Sequence, residues 1–143
     1  RMSNICAGIG RGQMFVLDEH VARRREIHDL YVRLLDRVTG VKVMCQPEGG
    51  DFNSNYWLTC ITVEPEVAGF TREDVRLALD ADNIESRPLW KPMHLQPVFK
   101  QSPFYGDGTS ERLFDKGLCL PSGPTLTDDD ICRVVDEIKS LAK

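Results

Sequence analysis

Three prolines, Pro88, Pro92 and Pro97, constrain residues 85–97 more than any other stretch of the chain. Each fixes its own φ and pushes the residue before it toward extended geometry. The run Glu85-Ser86-Arg87-Pro88-Leu89-Trp90-Lys91-Pro92-Met93-His94-Leu95-Gln96-Pro97 therefore predicts a stiff, non-helical arm. It presents two cations, an imidazole and an indole, which suit an anionic, partly apolar ligand. The plain alternative is a surface loop carrying scattered charge.

The chain opens at Arg1, and the residues after it read at once as a helix start, with Ser3 as N-cap. An N-terminus set inside a patterned element predicts a piece of a longer protein. At 143 residues the chain is long enough to bury a core. A net charge of −4 gives no general electrostatic case for nucleic acid. No apolar run approaches membrane-spanning length and no signal peptide is legible. The five cysteines, Cys6, Cys45, Cys60, Cys119 and Cys132, show no CxxC spacing. That pattern argues against zinc and for buried free thiols in a reducing cytoplasm.

Residues 3–17 read as a small-residue helix whose Gly8, Gly10 and Gly12 permit close helix packing. Their Gly-x-Gly-x-Gly spacing is not a dinucleotide fingerprint. Residues 18–39 predict a helix with an Ile27, Leu30, Tyr31, Leu34, Leu35 and Val38 stripe, closed by Gly40. Arg23, Arg24 and Arg25 fan around that helix, a solvated face with local acidic partners as the default. Strands are expected at 41–45, 56–63 and 118–121, with extended chain at 84–87 and a loop at 47–55. Helices are expected at 71–81, 109–116 and from Thr127 onward, where Asp128, Asp129 and Asp130 suit the helix dipole. The order α-β-β-α-β-α-β-α predicts an α/β chain of α+β-like small-domain form, one small sheet covered by helices.

Standing alone, these residues show no self-contained active site. Ser86 and Ser122 lack a nucleophile-elbow context. His20 and His28, eight apart, read as surface or half-buried helix residues. His94 differs, because a rigid arm positions a polar group with little entropy lost on binding.

Several segments together carry a family resemblance. Arg1-Met2-Ser3-Asn4, Gly12-Gln13-Met14, Leu17-Asp18-Glu19, Arg23-Arg24-Arg25-Glu26-Ile27 and Tyr31 resemble the C-terminal part of the DegT/DnrJ/StrS-type nucleotide-sugar aminotransferases. Arg87 to His94 looks like that family's arm, and Leu118-Cys119-Leu120-Pro121-Ser122-Gly123 like its closing segment. The wording is most similar to the pilin-glycosylation and bacillosamine-type members. The resemblance implies that residues 1–143 form the C-terminal small domain of a fold-type I enzyme dependent on pyridoxal phosphate, working as a homodimer with composite sites. It implies amino transfer, usually from glutamate, to a keto-sugar on a nucleoside diphosphate. It places the Schiff-base lysine, the pyridinium-pairing aspartate and the aromatic stacking residue upstream of Arg1, so this stretch alone is expected to be inactive. Arg1 matches a cofactor- and phosphate-binding arginine, and a guanidinium suits that role. His94 matches a histidine near the sugar, with Arg87, Trp90 and Lys91 as further substrate-binding positions.

Two other readings stay open. Some relatives carry histidine in place of the cofactor lysine and act as sugar dehydratases. A free-standing, non-catalytic binding module is the other, and it predicts no large exposed apolar face. The domain reading predicts instead exposed contacts around Ile5, Ile9 and Phe15.

Overall fold

The computed structural model describes residues 2–142. Its elements run α1 (Asn4–Met14), α2 (Leu17–Leu35), β1 (Val41–Val43), β2 (Thr59–Val63), α3 (Pro65–Ala68), α4 (Arg72–Ala81), β3 (Arg87–Pro88), two 3-10 turns (Met93–Leu95 and Pro97–Phe99), α5 (Thr109–Lys116), β4 (Gly117–Leu120) and α6 (Asp128–Leu141). The strands form one sheet in the order β1-β2-β4-β3, antiparallel at every pairing. The mixture of helix and strand thus takes the α+β form.

Strand alternation sends Thr59, Ile61 and Val63 into the core and leaves Cys60 and Thr62 half-buried on the other face. Ile61, Val63, Leu118 and Leu120 meet Ile27, Tyr31 and Leu35 of α2, Val75 and Leu79 of α4, and the Ile131 to Ile138 stripe of α6. Each such fully buried side chain contributes about 1.5–3 kcal/mol relative to exposure. Both predicted hydroxyl caps form boxes: Thr71 with Asp74, and Thr127 with Asp130. The Thr71 amide and hydroxyl hold the Asp74 carboxyl below its usual range.

Beyond shifts of one to three residues at the ends of α1, β1 and β4, the structure departs from the sequence pattern in these places. The helix expected to reach residue 39 ends at Leu35, yet Val38 stays buried, so periodicity reported burial beyond the helix itself. The strand expected from Tyr56 starts at Thr59, because Tyr56 takes a left-handed φ of 44° and stacks on His28 at 3.6 Å. The arm is not wholly extended: it carries the two 3-10 turns, each short enough to tolerate its flanking prolines. The short helix α3, with proline in its first turn, has no counterpart in the sequence pattern.

The glycines of α1 meet nothing within 4 Å at a built Cβ, so the close packing expected of them is not made among the described residues. No residue of α1 is buried, and Ile5, Ile9, Met14 and Phe15 are all more than half exposed. Gly40 is different. It has a φ of +78°, and a Cβ there would lie 2.5 Å from the Ala68 amide nitrogen. Gly40→Ala is expected to cost about 2–4 kcal/mol, combining left-handed strain with a backbone clash. Gly49, with φ +87° and open space around it, isolates the strain alone. Urea midpoints for Gly40→Ala and Gly49→Ala should therefore differ, and equal losses would disprove the clash.

Candidate functional site

The arm enters the sheet as its edge. Arg87 pairs with Cys119 and Pro88 with Leu118 on β4. On an edge strand a proline's missing donor need cost no ladder bond. Past β3, the Leu89 amide donates to the Gly117 carbonyl at 3.3 Å.

A cavity of about 400 Å³ opens where the arm crosses the end of β4, with Trp57, Glu85, Ser86, Arg87, Trp90 and Cys119 in its wall. The indoles of Trp57 and Trp90 stand 6.2 Å apart at a 35° tilt, and both are mostly exposed. Arg87 donates to Glu85 Oε1 from Nε at 2.8 Å and from Nη2 at 2.5 Å. Both partners are mostly exposed, so the pair holds the guanidinium weakly and an incoming anion can compete for it. The buried Ser86 hydroxyl has no partner among the described residues. The cavity therefore offers an aromatic wall and a loosely held cation, with an unpartnered hydroxyl buried behind them.

His94 takes a different position. Its Nε2 pairs with Glu111 Oε1 at 2.5 Å, and its ring stacks on Phe104 at 3.6 Å. Gly106 permits that fold of the loop, since a Cβ there would meet the Phe104 ring at 2.5 Å. Lys91 is exposed and outside the cavity wall. The structure thus brings Arg87 and Trp90 to one cavity and leaves His94 and Lys91 outside its wall. Arg1 lies outside the described residues.

Other sequence candidates have structural roles. His28 is buried, 2% exposed, not at the surface; its Nε2 lies 3.2 Å from the Met44 carbonyl and Nδ1 3.3 Å from Asp29. Arg23 reaches beyond its own helix to Asp128 Oδ1 and the Leu126 carbonyl, each at 2.8 Å. Arg25 donates to Asn53 and Ser54 in the 47–55 loop. The buried Ser122 hydroxyl accepts from the Thr59 amide at 2.8 Å and donates to the Leu120 carbonyl at 2.9 Å. The cysteines are free but not uniformly buried, since Cys6 and Cys45 are exposed.

Trp57, Glu85, Cys119, Phe104 and Glu111 escaped sequence reasoning as site residues. Glu85 lies in the arm itself, two residues from Arg87, and an acidic residue at that spacing is the signal that could have found it. The others carry no local signal, because sheet register and loop folding bring them in across long separations.

A family model covers residues 1–139. The chain belongs to the DegT/DnrJ/EryC1/StrS aminotransferase family. It is 42% identical over 145 residues to EpsN of Bacillus subtilis (strain 168), whose name assigns it provisionally to the pyridoxal phosphate-dependent aminotransferases. The match covers 99% of this chain and 36% of EpsN. GDP-perosamine synthase of Escherichia coli O157:H7 is 30% identical over 141 residues, again across 99% of this chain and 36% of that protein. Among solved structures, DesI in the presence of its TDP-sugar product superposes with a TM-score of 0.88 at 28% identity. That superposition spans 99% of this chain and 36% of DesI. The chain therefore spans about 36% of the length of the curated relatives it matches.

Holding an aldehyde cofactor as a Schiff base needs a lysine amine within a shielded pocket. Among the described residues no lysine stands in the cavity wall, and Arg87 is the cation there. The lining of this cavity by itself supplies no amine for a Schiff base with pyridoxal phosphate. Across the described residues no helix is long and apolar enough to cross a membrane.

Proposed function

We propose that residues 1–143 are the C-terminal small domain of a cytoplasmic, pyridoxal phosphate-dependent aminotransferase. The whole enzyme moves an amino group, from glutamate, onto a nucleotide-linked keto-sugar destined for cell-surface polysaccharide or glycoprotein. The observation that carries this reading is the family match over residues 1–139. Relatives named for GDP-perosamine synthesis, and a superposable structure solved with a TDP-sugar product, support the substrate class.

On this reading the cofactor is held by residues upstream of this chain, and the domain alone is inactive. Cofactor chemistry supplies the electron sink, and the protein supplies binding and orientation. Arg87 and Trp90 receive the substrate at the cavity, His94 approaches the sugar, Lys91 lends charge from the arm, and Arg1 grips phosphate across a homodimer interface. The exposed apolar side chains of α1 are suited to that interface or to the upstream domain.

The test uses the full-length gene product. Pyridoxal phosphate is added, the adduct is reduced with borohydride, and the modified peptide is mapped by mass spectrometry. A reduced adduct on a lysine upstream of Arg1 is expected. Bound cofactor without a reducible lysine adduct would replace the aminotransferase by the dehydratase reading. Absence of cofactor binding would leave a non-catalytic binding module.

A further inference from the structure

The β2–β4 ladder sets two thiols against each other. Cys60 and Cys119 are direct register partners. The Cys60 carbonyl accepts from the Met44 amide at 2.8 Å, so the Cys60 backbone polar groups face β1. The Gly117 carbonyl accepts from the Leu89 amide, and Cys119 lies two residues on, so its polar groups face β3 by the same alternation. Between β2 and β4 the two cysteines therefore form a non-hydrogen-bonded pair. In such pairs the Cα atoms approach to about 4.5 Å and side chains lie closest. A disulfide needs Cα atoms about 4.4–6.8 Å apart, so the register already satisfies it. The two Sγ atoms are 3.7 Å apart. Closing them to about 2.0 Å is within reach of small side-chain rotations.

Access and reactivity are also in place. Cys119 is buried but stands in the cavity wall, and Cys60 is half-buried beside it. The hydrogen bond with Cys60 draws the Cys119 thiol below its usual range against the opposing effect of burial. The same contact, together with burial, pushes the Cys60 thiol up. Cys119, the more readily ionised of two facing thiols, is placed as the attacking cysteine and Cys60 as the resolving one.

We propose that Cys60 and Cys119 form an oxidative modification site, where a hydroperoxide converts the facing thiols into a cross-strand disulfide beside the cavity. The Cys119 thiolate attacks one peroxide oxygen, the O–O bond breaks, and the departing hydroxide takes up the proton that Cys119 released. This leaves water and a Cys119 sulfenic acid. Cys60 sulfur then attacks Cys119 sulfur, the S–O bond breaks, and the hydroxide leaves as water with the Cys60 proton. Two thiols and one hydrogen peroxide give one disulfide and two waters. The proposal is independent of the aminotransferase reading, since it needs only the sheet register.

The test treats the full-length gene product with hydrogen peroxide, blocks remaining thiols under denaturing conditions, and maps peptides without reductant. The expected result is a peptide linking Cys60 to Cys119, with loss of two titratable thiols that dithiothreitol restores. Tryptophan emission should fall in step, because Trp57 and Trp90 share the cavity wall with Cys119. In Cys60→Ser the link should vanish and a dimedone-trapped sulfenic acid should appear at Cys119, whereas Cys132→Ser should leave the link intact. Recovery of Cys60 and Cys119 as separate peptides from folded, oxidised wild-type protein would overturn the proposal. So would linkage of either to a third cysteine.

Discussion

Tyr31→Ala is expected to remove about 3–5 kcal/mol of stability, a large fraction of the roughly 5–15 kcal/mol that holds a domain folded. Tyr31 is fully buried in the last two turns of α2, where its ring fills the space between that helix and the sheet. Its hydroxyl donates to the Pro121 carbonyl at 3.0 Å, tying α2 to the strand end that forms part of the cavity wall. Tyr31→Phe separates the two contributions. It keeps the ring and leaves one buried acceptor without its donor, which should cost about 1–2 kcal/mol. Urea denaturation of both variants measures the split, and equal losses would mean that the hydroxyl, not the ring, dominates. Burial also pushes the Tyr31 phenol above its usual value of 10.0. Above that pH the unfolded chain sheds the proton while the folded chain keeps it. Stability from this group is therefore complete below pH 10 and falls as pH rises beyond it, a slope that Tyr31→Phe should abolish.

In the full-length enzyme, on the function proposed above, His94→Ala is expected to lower kcat/KM for the sugar nucleotide about 100-fold. Bound pyridoxal phosphate should stay unchanged. The imidazole is fixed on two sides, by Glu111 at Nε2 and by the Phe104 ring beneath it. In the neutral ring, a carboxylate at Nε2 keeps the proton there, so Nδ1 is left as the open lone pair. Glu111→Gln weakens that hold without removing the ring, and about a tenfold loss is expected. Steady-state kinetics together with cofactor absorbance decide the matter. Loss of cofactor from His94→Ala would assign the residue to the cofactor side and refute the sugar-side role.

How much of this was legible beforehand follows from the range of the forces involved. Caps and stripes are local: Thr71 and Thr127 sit three residues from the carboxylates they pair with, and the α6 stripe repeats within a few turns. Those elements could be placed from sequence spacing alone. Tyr56 could not, because its β-forming side chain is overruled by stacking on His28. His28 itself read as a surface or half-buried residue until α2 packed it against Tyr56 and the Met44 carbonyl.

The same division holds for the site. The prolines by themselves marked out an arm of restricted backbone carrying Arg87, Trp90, Lys91 and His94, because φ restriction acts within one or two residues, though not the 3-10 turns it contains. Family membership was likewise written in the order and spacing of short motifs along the chain. Only the tertiary structure decided that Arg87 and Trp90 share a wall with Trp57 while His94 turns to Glu111. It alone decided that Cys60 meets Cys119, 59 positions away in the sequence. Sheet register sets those meetings, and register is fixed by burying one face of every strand at once, a condition no single segment contains.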